Sequence, residues 1–434
     1  MCCRTSIIAV QSHTCMEILI ALTRWPKDYI CFWCFAWLYT GQWHRRRRNS
    51  SERKCSWRLP RGTYALRSTT RRRNSYLYRS TIIQNTMTSN KETERVVWID
   101  TAKGLCIFLV VSHHIFANYG MYSEKGILTD TFYFFQSFRI PLYYILSGLF
   151  FKEYGGFLNF VTKKTNKIFI PCMFFYITLS VIAPWLFFIM GKDVFQLEGT
   201  SFMELLLSII YKEGAYPNGP VWFLLCLFQI NILFYIVNKI SSHSIILLTI
   251  LSCLIGTGGL LMSYFGMNLY CNTDSAITGI PFFCFGYILR RKTNFISNKK
   301  PKYMEVLICT TISLFVVFLF ARNAEFNFNL FANKLTVYPC GILGAFSVLI
   351  ISKCIGKIPC ISYWGRYSII ILSTHYFFIY LMDYTLPSSL NNWFICLLLI
   401  MAPYFLIIPV FVRYLPYVTA QKDLLTIKQT DKHK

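Results

Sequence analysis

Ten stretches of about 17 to 23 predominantly apolar residues, separated by short polar links, recur between residues 97 and 412. A run of that length is what an α-helix needs to cross the roughly 30 Å hydrocarbon core of a bilayer. Inside hydrocarbon each backbone N–H and C=O must find a partner, which leaves helices or closed barrels as spanning structures. Continuous apolar runs select helices. The spans expected are 97–118, 130–151, 168–190, 220–238, 244–263, 273–289, 303–321, 336–352, 367–386 and 392–412. The predicted fold class is all-α: a polytopic, multi-pass membrane protein with about ten transmembrane helices.

Composition agrees. Hydrophobic residues are 55% of the chain and aromatics 18%, with 39 Phe and 28 Tyr, and mean hydropathy is +0.43. A soluble domain is markedly more polar. The +25 net charge would ordinarily suggest nucleic acid, but its distribution argues against that partner. About half of it lies in residues 1–86, which carry 14 of the 21 arginines. That segment includes the runs Arg45–Arg48 and Arg71–Arg73, and its apolar run Tyr29–Trp43 is too short to span. It lacks the order of a signal peptide. Residues 1–86 are therefore expected to be a non-native upstream extension, with Met87 the natural start, or else a disordered basic arm that binds anionic lipid. Residues 87–434 form the membrane domain.

Loop charge sets the expected orientation. With the lead-in 87–96 cytoplasmic, the inner side holds Lys152, Lys163, Lys164, Lys167, Lys239, Arg290 to Lys292, Lys299, Lys300, Lys302, Lys353, Lys357, Arg366 and Arg413. The outer side holds only Lys125, Lys192, Lys212, Arg322 and Lys334. The asymmetry follows the positive-inside rule and places both termini in the cytoplasm of a cell with this chain in its cytoplasmic membrane. Among the 17 cysteines, Cys106, Cys226, Cys253, Cys284, Cys309 and Cys396 sit singly in apolar runs, as small core residues. No metal site is expected.

Ionisable side chains inside a bilayer are costly and usually mark function. The first span carries Asp100, Lys103, His113 and His114. Lys103 and His114 are 11 residues apart, three turns plus roughly 20°, so they share a face about 16 Å apart along the axis. The stripe reads Lys103, Ile107, Val110, His114; His113 points about 100° away. An anionic donor held near Lys103 could extend an acyl group toward His114, which can accept a hydroxyl proton or carry the acyl group itself. A structural hydrogen bond between helices is the plain alternative. Arg139, deep in the second span, needs an ion pair or a ligand. Pro141 permits a kink there, and Ser147-Gly148 a close helix approach.

At these residues the chain resembles the membrane acyltransferase 3 family, nearest its fucose-acetylase-like and exopolysaccharide O-acetyltransferase branch. Five elements carry the resemblance in order: WIDTAKGLCIFLVVSHH with Lys103 and His114; RIPLYYILSGLFF with Arg139; Gly219 to Leu224; FFCFGYILRR ending in Arg290 and Arg291; and Gly365, Ser368, Ile371 and His375. It covers about Arg95 to the end of the tenth span. It implies transfer of an acetyl group from cytoplasmic acetyl-CoA to a carbohydrate hydroxyl. His114, Lys103 and Arg139 would be catalytic: base or acyl relay, its assistant or donor guide, and stabiliser of the thioester oxyanion. Asp100, Trp222 and His375 are candidate substrate-binding residues. Arg290, Arg291 and Lys292 would hold the CoA phosphates, unless they are ordinary inside charge, and Trp222 would stack on a sugar unless it is an interfacial anchor. Some relatives carry a fused esterase-like domain, and none is expected here. The acceptor is then expected to reach the membrane site directly or through polysaccharide-assembly partner proteins.

Two other classes fit a helical bundle. A transporter or flippase often shows two matching halves, and no such repeat is visible. A structural subunit of an export complex would not need Lys103 and His114 on one face. Release of CoA without acceptor separates an enzyme from both.

Overall fold

The computed structural model describes residues 96–118, 127–211, 216–297, 299–385 and 392–426, all within a compact unit spanning 89–434. Both readings of residues 1–86 lie outside the described residues. Twelve helices are described: α1 Val97–Asn118, α2 Ile127–Leu149, α3 Phe157–Ile189, α4 Phe202–Leu207, α5 Trp222–Ile240, α6 Ile245–Phe265, α7 Thr273–Lys292, α8 Tyr303–Phe320, α9 Val337–Ile355, α10 Pro359–Arg366, α11 Ser368–Thr385 and α12 Trp393–Tyr414. One two-residue antiparallel ladder, β1 Ala324–Glu325 with β2 Leu330–Phe331, is added between α8 and α9.

Seven of these helices are long and apolar enough to cross a membrane: α1, α3, α5 (from Gly219), α6, α8, α9 and α12. The chain is a multi-pass membrane protein. α6 and α8 expose Leu254, Phe265, Ile308 and Phe315, a surface that lipid solvates. The other long helices, α2, α7 and α11, are more polar because they carry Arg139, Asp274 with Arg290 to Lys292, and His375 with Asp383.

The structure differs from the hydropathy reading in places. α3 begins at Phe157 rather than 168, because Lys163, Lys164 and Lys167 depress hydropathy without breaking the helix; two π-helical turns, Thr165–Phe169 and Tyr176–Ile182, lie within it. α4 is short, and at its start a capping box has Ser201 and Glu204 satisfy each other's backbone N–H. α12 is interrupted at Ala402-Pro403. Cys106, Cys226, Cys284 and Cys396 are buried as expected, whereas Cys253 is exposed and Cys309 half-buried, on the same α6 and α8 that face outward.

Glycine sets the tightest helix approaches. A Cβ on Gly365 of α10 would stand 1.8 Å from the Asp100 carbonyl oxygen of α1, and one on Gly104 would stand 1.9 Å from that of Ile361. α2 and α7 lock the same way: Gly148 faces the Phe283 carbonyl and Gly286 the Ile145 carbonyl, each at 2.0 Å from an added Cβ. Backbone cannot step aside as a side chain can. Gly365→Val is therefore expected to destabilise the fold by at least about 1–3 kcal/mol, the usual cost of overpacking. Gly258→Ala, which would meet nothing within 4 Å, is expected to leave the melting temperature in detergent unchanged or higher.

The segment after α12 folds back onto α3. Buried Asn166 accepts from the N–H groups of Leu424 and Leu425 and donates to the Leu425 carbonyl, each at 2.8 Å. The Asp423 carboxylate meets Lys163 Nζ at 2.5 Å and Lys167 Nζ at 2.9 Å. Hydrogen bonds from Lys163 and then Lys167 hold the Asp423 carboxyl below the usual carboxylate range. A depressed folded pKa means that this contact contributes above the ordinary value of about 3.9 and is lost as pH falls through the depressed one. An exposed ion pair is worth about 0–1 kcal/mol, less than three hydrogen bonds to a buried amide at about 1 kcal/mol each. Asn166→Ala is thus expected to lower hydrogen-exchange protection of 420–426 more than Asp423→Ala does. Only the Asp423 contribution should fade below about pH 4.

Candidate active site

Four helices, α1, α2, α5 and α11, wall two cavities at different heights. Each contributes residues about one to three turns apart: His114 and Lys103 from α1, Arg139 and Tyr143 from α2, Trp222 and Leu227 from α5, Tyr376 and Leu372 from α11. The larger cavity, about 590 Å³, holds His113, His114, Arg139 and Trp222. The smaller, about 230 Å³, holds Lys103, Lys164 and Lys167. Between them on α1 sits fully buried Ile107. The Tyr143 and Phe223 rings, 5.4 Å apart between centroids, line the smaller cavity next to the residues that line the larger. The Lys103–His114 face of α1 thus turns into the protein.

In the histidine cavity, the His114 ring lies 4.9 Å from His113, 5.3 Å from His375 and 4.9 Å from Tyr376, centroid to centroid. His375 is fully buried and does not line the cavity. Its Nδ1 lies 2.8 Å from the Ile371 carbonyl. A carbonyl can only accept, so Nδ1 carries the proton and Nε2 presents a lone pair. That Nε2 is buried without a hydrogen-bond partner, on a ring packed against His114. Arg139 is buried, its guanidinium carbon 5.9 Å from the Phe132 ring centre, and Phe132 stacks on His113 at 4.4 Å. The Arg139 carbonyl accepts from Cys106 Sγ at 2.9 Å, tying α2 to α1 at this height.

The lysine cavity gathers three cations. Lys103 Nζ stands 5.7 Å from the centre of the Phe150 ring, and the Arg290 guanidinium stands 5.9 Å from the same ring. Arg290 Nη1 donates to the Leu149 carbonyl at the end of α2, at 2.9 Å. Arg291 is exposed and donates to the Tyr287 hydroxyl, and Lys292 is exposed. Arg290 is therefore one ring away from the cavity, while Arg291 and Lys292 do not line it. Asp100 lies outside both cavities, buried in the first turn of α1 where Gly365 abuts its carbonyl. The structure brings His114, Arg139 and Trp222 together and sets Lys103 one level away.

Residues that sequence reasoning passed over also line these spaces. Lys164 and Lys167 read as ordinary loop charge; their i, i+3 spacing on a longer α3 was the signal. Gln136, Asn272, Asn323, Glu325, Tyr376 and Tyr380 join the larger cavity from distant segments, with no local pattern to betray them.

A protein-family model described as an acyltransferase domain matches residues 96–413, the stretch that builds both cavities. The chain belongs to the acyltransferase 3 family. No curated protein and no solved structure matches it. As a membrane acyltransferase of this family it must hold an acyl donor and an acceptor close enough to react. An imidazole and a guanidinium lining one cavity of about 590 Å³, with a cationic chamber a few turns away on shared helices, are suited to both tasks.

Proposed function

We propose that this acyltransferase 3 protein moves an acetyl group from acetyl-CoA to a hydroxyl of a carbohydrate, a cell-surface polysaccharide or its precursor. One observation carries the reading. Two residues of one helix face, Lys103 and His114, open into separate cavities with common walls: one cationic, the other holding histidine and arginine. In this reading ten helices cross the cytoplasmic membrane, both termini are cytoplasmic, and the lysine cavity faces the cytoplasm, where the donor is made.

The donor's phosphates sit among Lys103, Lys164 and Lys167, and its thioester reaches past Tyr143 and Phe223 toward His114. There the acceptor hydroxyl gives its proton to the His114 imidazole as its oxygen attacks the thioester carbonyl carbon. Arg139 stabilises the oxyanion. The C–S bond then breaks, the thiolate takes a proton to leave as CoA, and the acetyl ester remains on the sugar. His375 Nε2, buried against the His114 ring, orients the base.

Loss of one glycan acetyl modification in a deletion strain, restored by wild type but not by His114→Ala, is the expected result; restoration by the variant overturns the assignment. The donor side has its own test. Lys103→Ala combined with Lys167→Ala is expected to raise KM for acetyl-CoA by about tenfold or more, two charge-assisted contacts being worth upward of 1.5 kcal/mol. The KM for acetyl-pantetheine, which lacks the phosphates, should change little.

A further inference from the structure

The lysine-rich turn of α3 serves two neighbours. Lys164, Lys167 and Ile168 line the smaller cavity. Lys163, Asn166 and Lys167 hold the segment 416–426 that follows α12. Lys167 belongs to both sets. Its ammonium donates to the Ala420 carbonyl at 2.7 Å and stands 2.9 Å from Asp423 Oδ1. Neither Ala420 nor Asp423 lines the cavity. A residue in the wall of the cationic chamber thus has its charge paired outside it, with an anion and a carbonyl supplied by the chain itself.

The strap is ordered without Lys167. Its Pro416 carbonyl accepts from the Gln421 and Lys422 N–H groups at 2.9 Å, which folds it into a turn. Asn166 Oδ1 accepts from the Leu424 and Leu425 N–H groups on the other side of Asp423. The carboxylate is therefore kept beside Lys167 whichever way the ammonium points. The pair itself is easily exchanged. The Lys167 and Asp423 side chains are 33% and 29% exposed, so water reaches both and the pair has a small net worth. A lysine ammonium is a point charge on a flexible stem and can turn without moving the helix. When it leaves, Asp423 Oδ2 keeps Lys163, 2.5 Å away, so no lone carboxylate remains. A phosphate accepts from lysine as a carboxylate does.

We propose that the 416–426 strap is a built-in competitor for the donor: Asp423 and a phosphate ester entering the lysine cavity compete for the Lys167 ammonium. The inference rests on the lysine cavity being the donor's site. Part of the donor's binding free energy goes into parting Lys167 from Asp423, so the strap holds affinity below what the cavity alone would give. The product CoA carries the same phosphates and is held down equally, which favours its release. A ligand without phosphates makes no demand on Lys167 and is not affected.

The test is calorimetric binding of CoA and of pantetheine to the purified protein in detergent. Asp423→Asn keeps the shape of the side chain and removes its charge. It is expected to bind CoA about two- to fivefold more tightly than wild type, the worth of one partly exposed ion pair, and Asp423→Ala should do the same. Lys167→Ala should bind CoA more weakly, and adding Asp423→Asn to it should change nothing further. Pantetheine affinity should be equal in all of them. Unchanged or weaker CoA binding in both Asp423 variants overturns the competitor and makes Asp423 a support for Lys167. Tightening that persists in the Lys167→Ala background also overturns it, since the gain would then come from net charge alone. Lys103→Ala separates the two levels of the argument. If it leaves CoA affinity unchanged, the proposed donor site falls. If it weakens CoA binding while Asp423→Asn fails to tighten it, the site stands and the strap's role falls.

Discussion

Replacing His114 by alanine is expected to lower acetyl transfer by about 10²–10⁴-fold, the range for loss of a positioned general base. That corresponds to roughly 2.7–5.4 kcal/mol of transition-state stabilisation. The expectation rests on placement. His114 lines the larger cavity beside Arg139, and its ring packs on His375, whose bare Nε2 is buried against it. No other histidine in the cavity has that support. His113 lines the same space, but it stacks on Phe132 and its Nδ1 is buried without a partner. His113→Ala is expected to keep activity within about tenfold, as for one lost polar contact. The measurement is ester formation and CoA release by detergent-purified protein, with the melting temperature as a check on folding. Equal losses in the two variants would move the base off His114.

Arg139→Ala is expected to lower kcat by about 10²–10³-fold with little change in acetyl-CoA KM, the pattern for a group that acts on charge appearing only in the transition state. Arg139 is buried on α2 and lines the same cavity as His114, in surroundings that strengthen each electrostatic contact. Arg139→Lys keeps the charge but not the planar fork, so partial rescue, intermediate between wild type and alanine, is expected. A rise in KM with kcat intact would make Arg139 a binding residue instead.

Much of the architecture was legible because membrane helices announce themselves by composition. Apolar runs predicted the helices close to their observed limits, and failed where that signal weakens: at the lysine-rich start of α3, at the short amphipathic α10, and in the small hairpin. The shared face of Lys103 and His114 also followed from helical period alone. Gly148 makes the close helix approach expected of it, and Gly286 and Gly365, which occur in segments that look catalytic in sequence, likewise let backbones meet.

Sequence by itself determined a helical membrane protein, a lysine and a histidine on one face of its first helix, and a family. Those properties are local, set by side-chain polarity and a 3.6-residue period. Only the tertiary structure decided that Lys103 and His114 open into different cavities and that Lys164 and Lys167, rather than Arg291 and Lys292, join Lys103. It alone brought Asn272, Asn323 and Glu325 to the cavity that His114 lines. Each of these depends on which helices abut and at what height, and close packing of distant segments leaves no periodic trace along the chain.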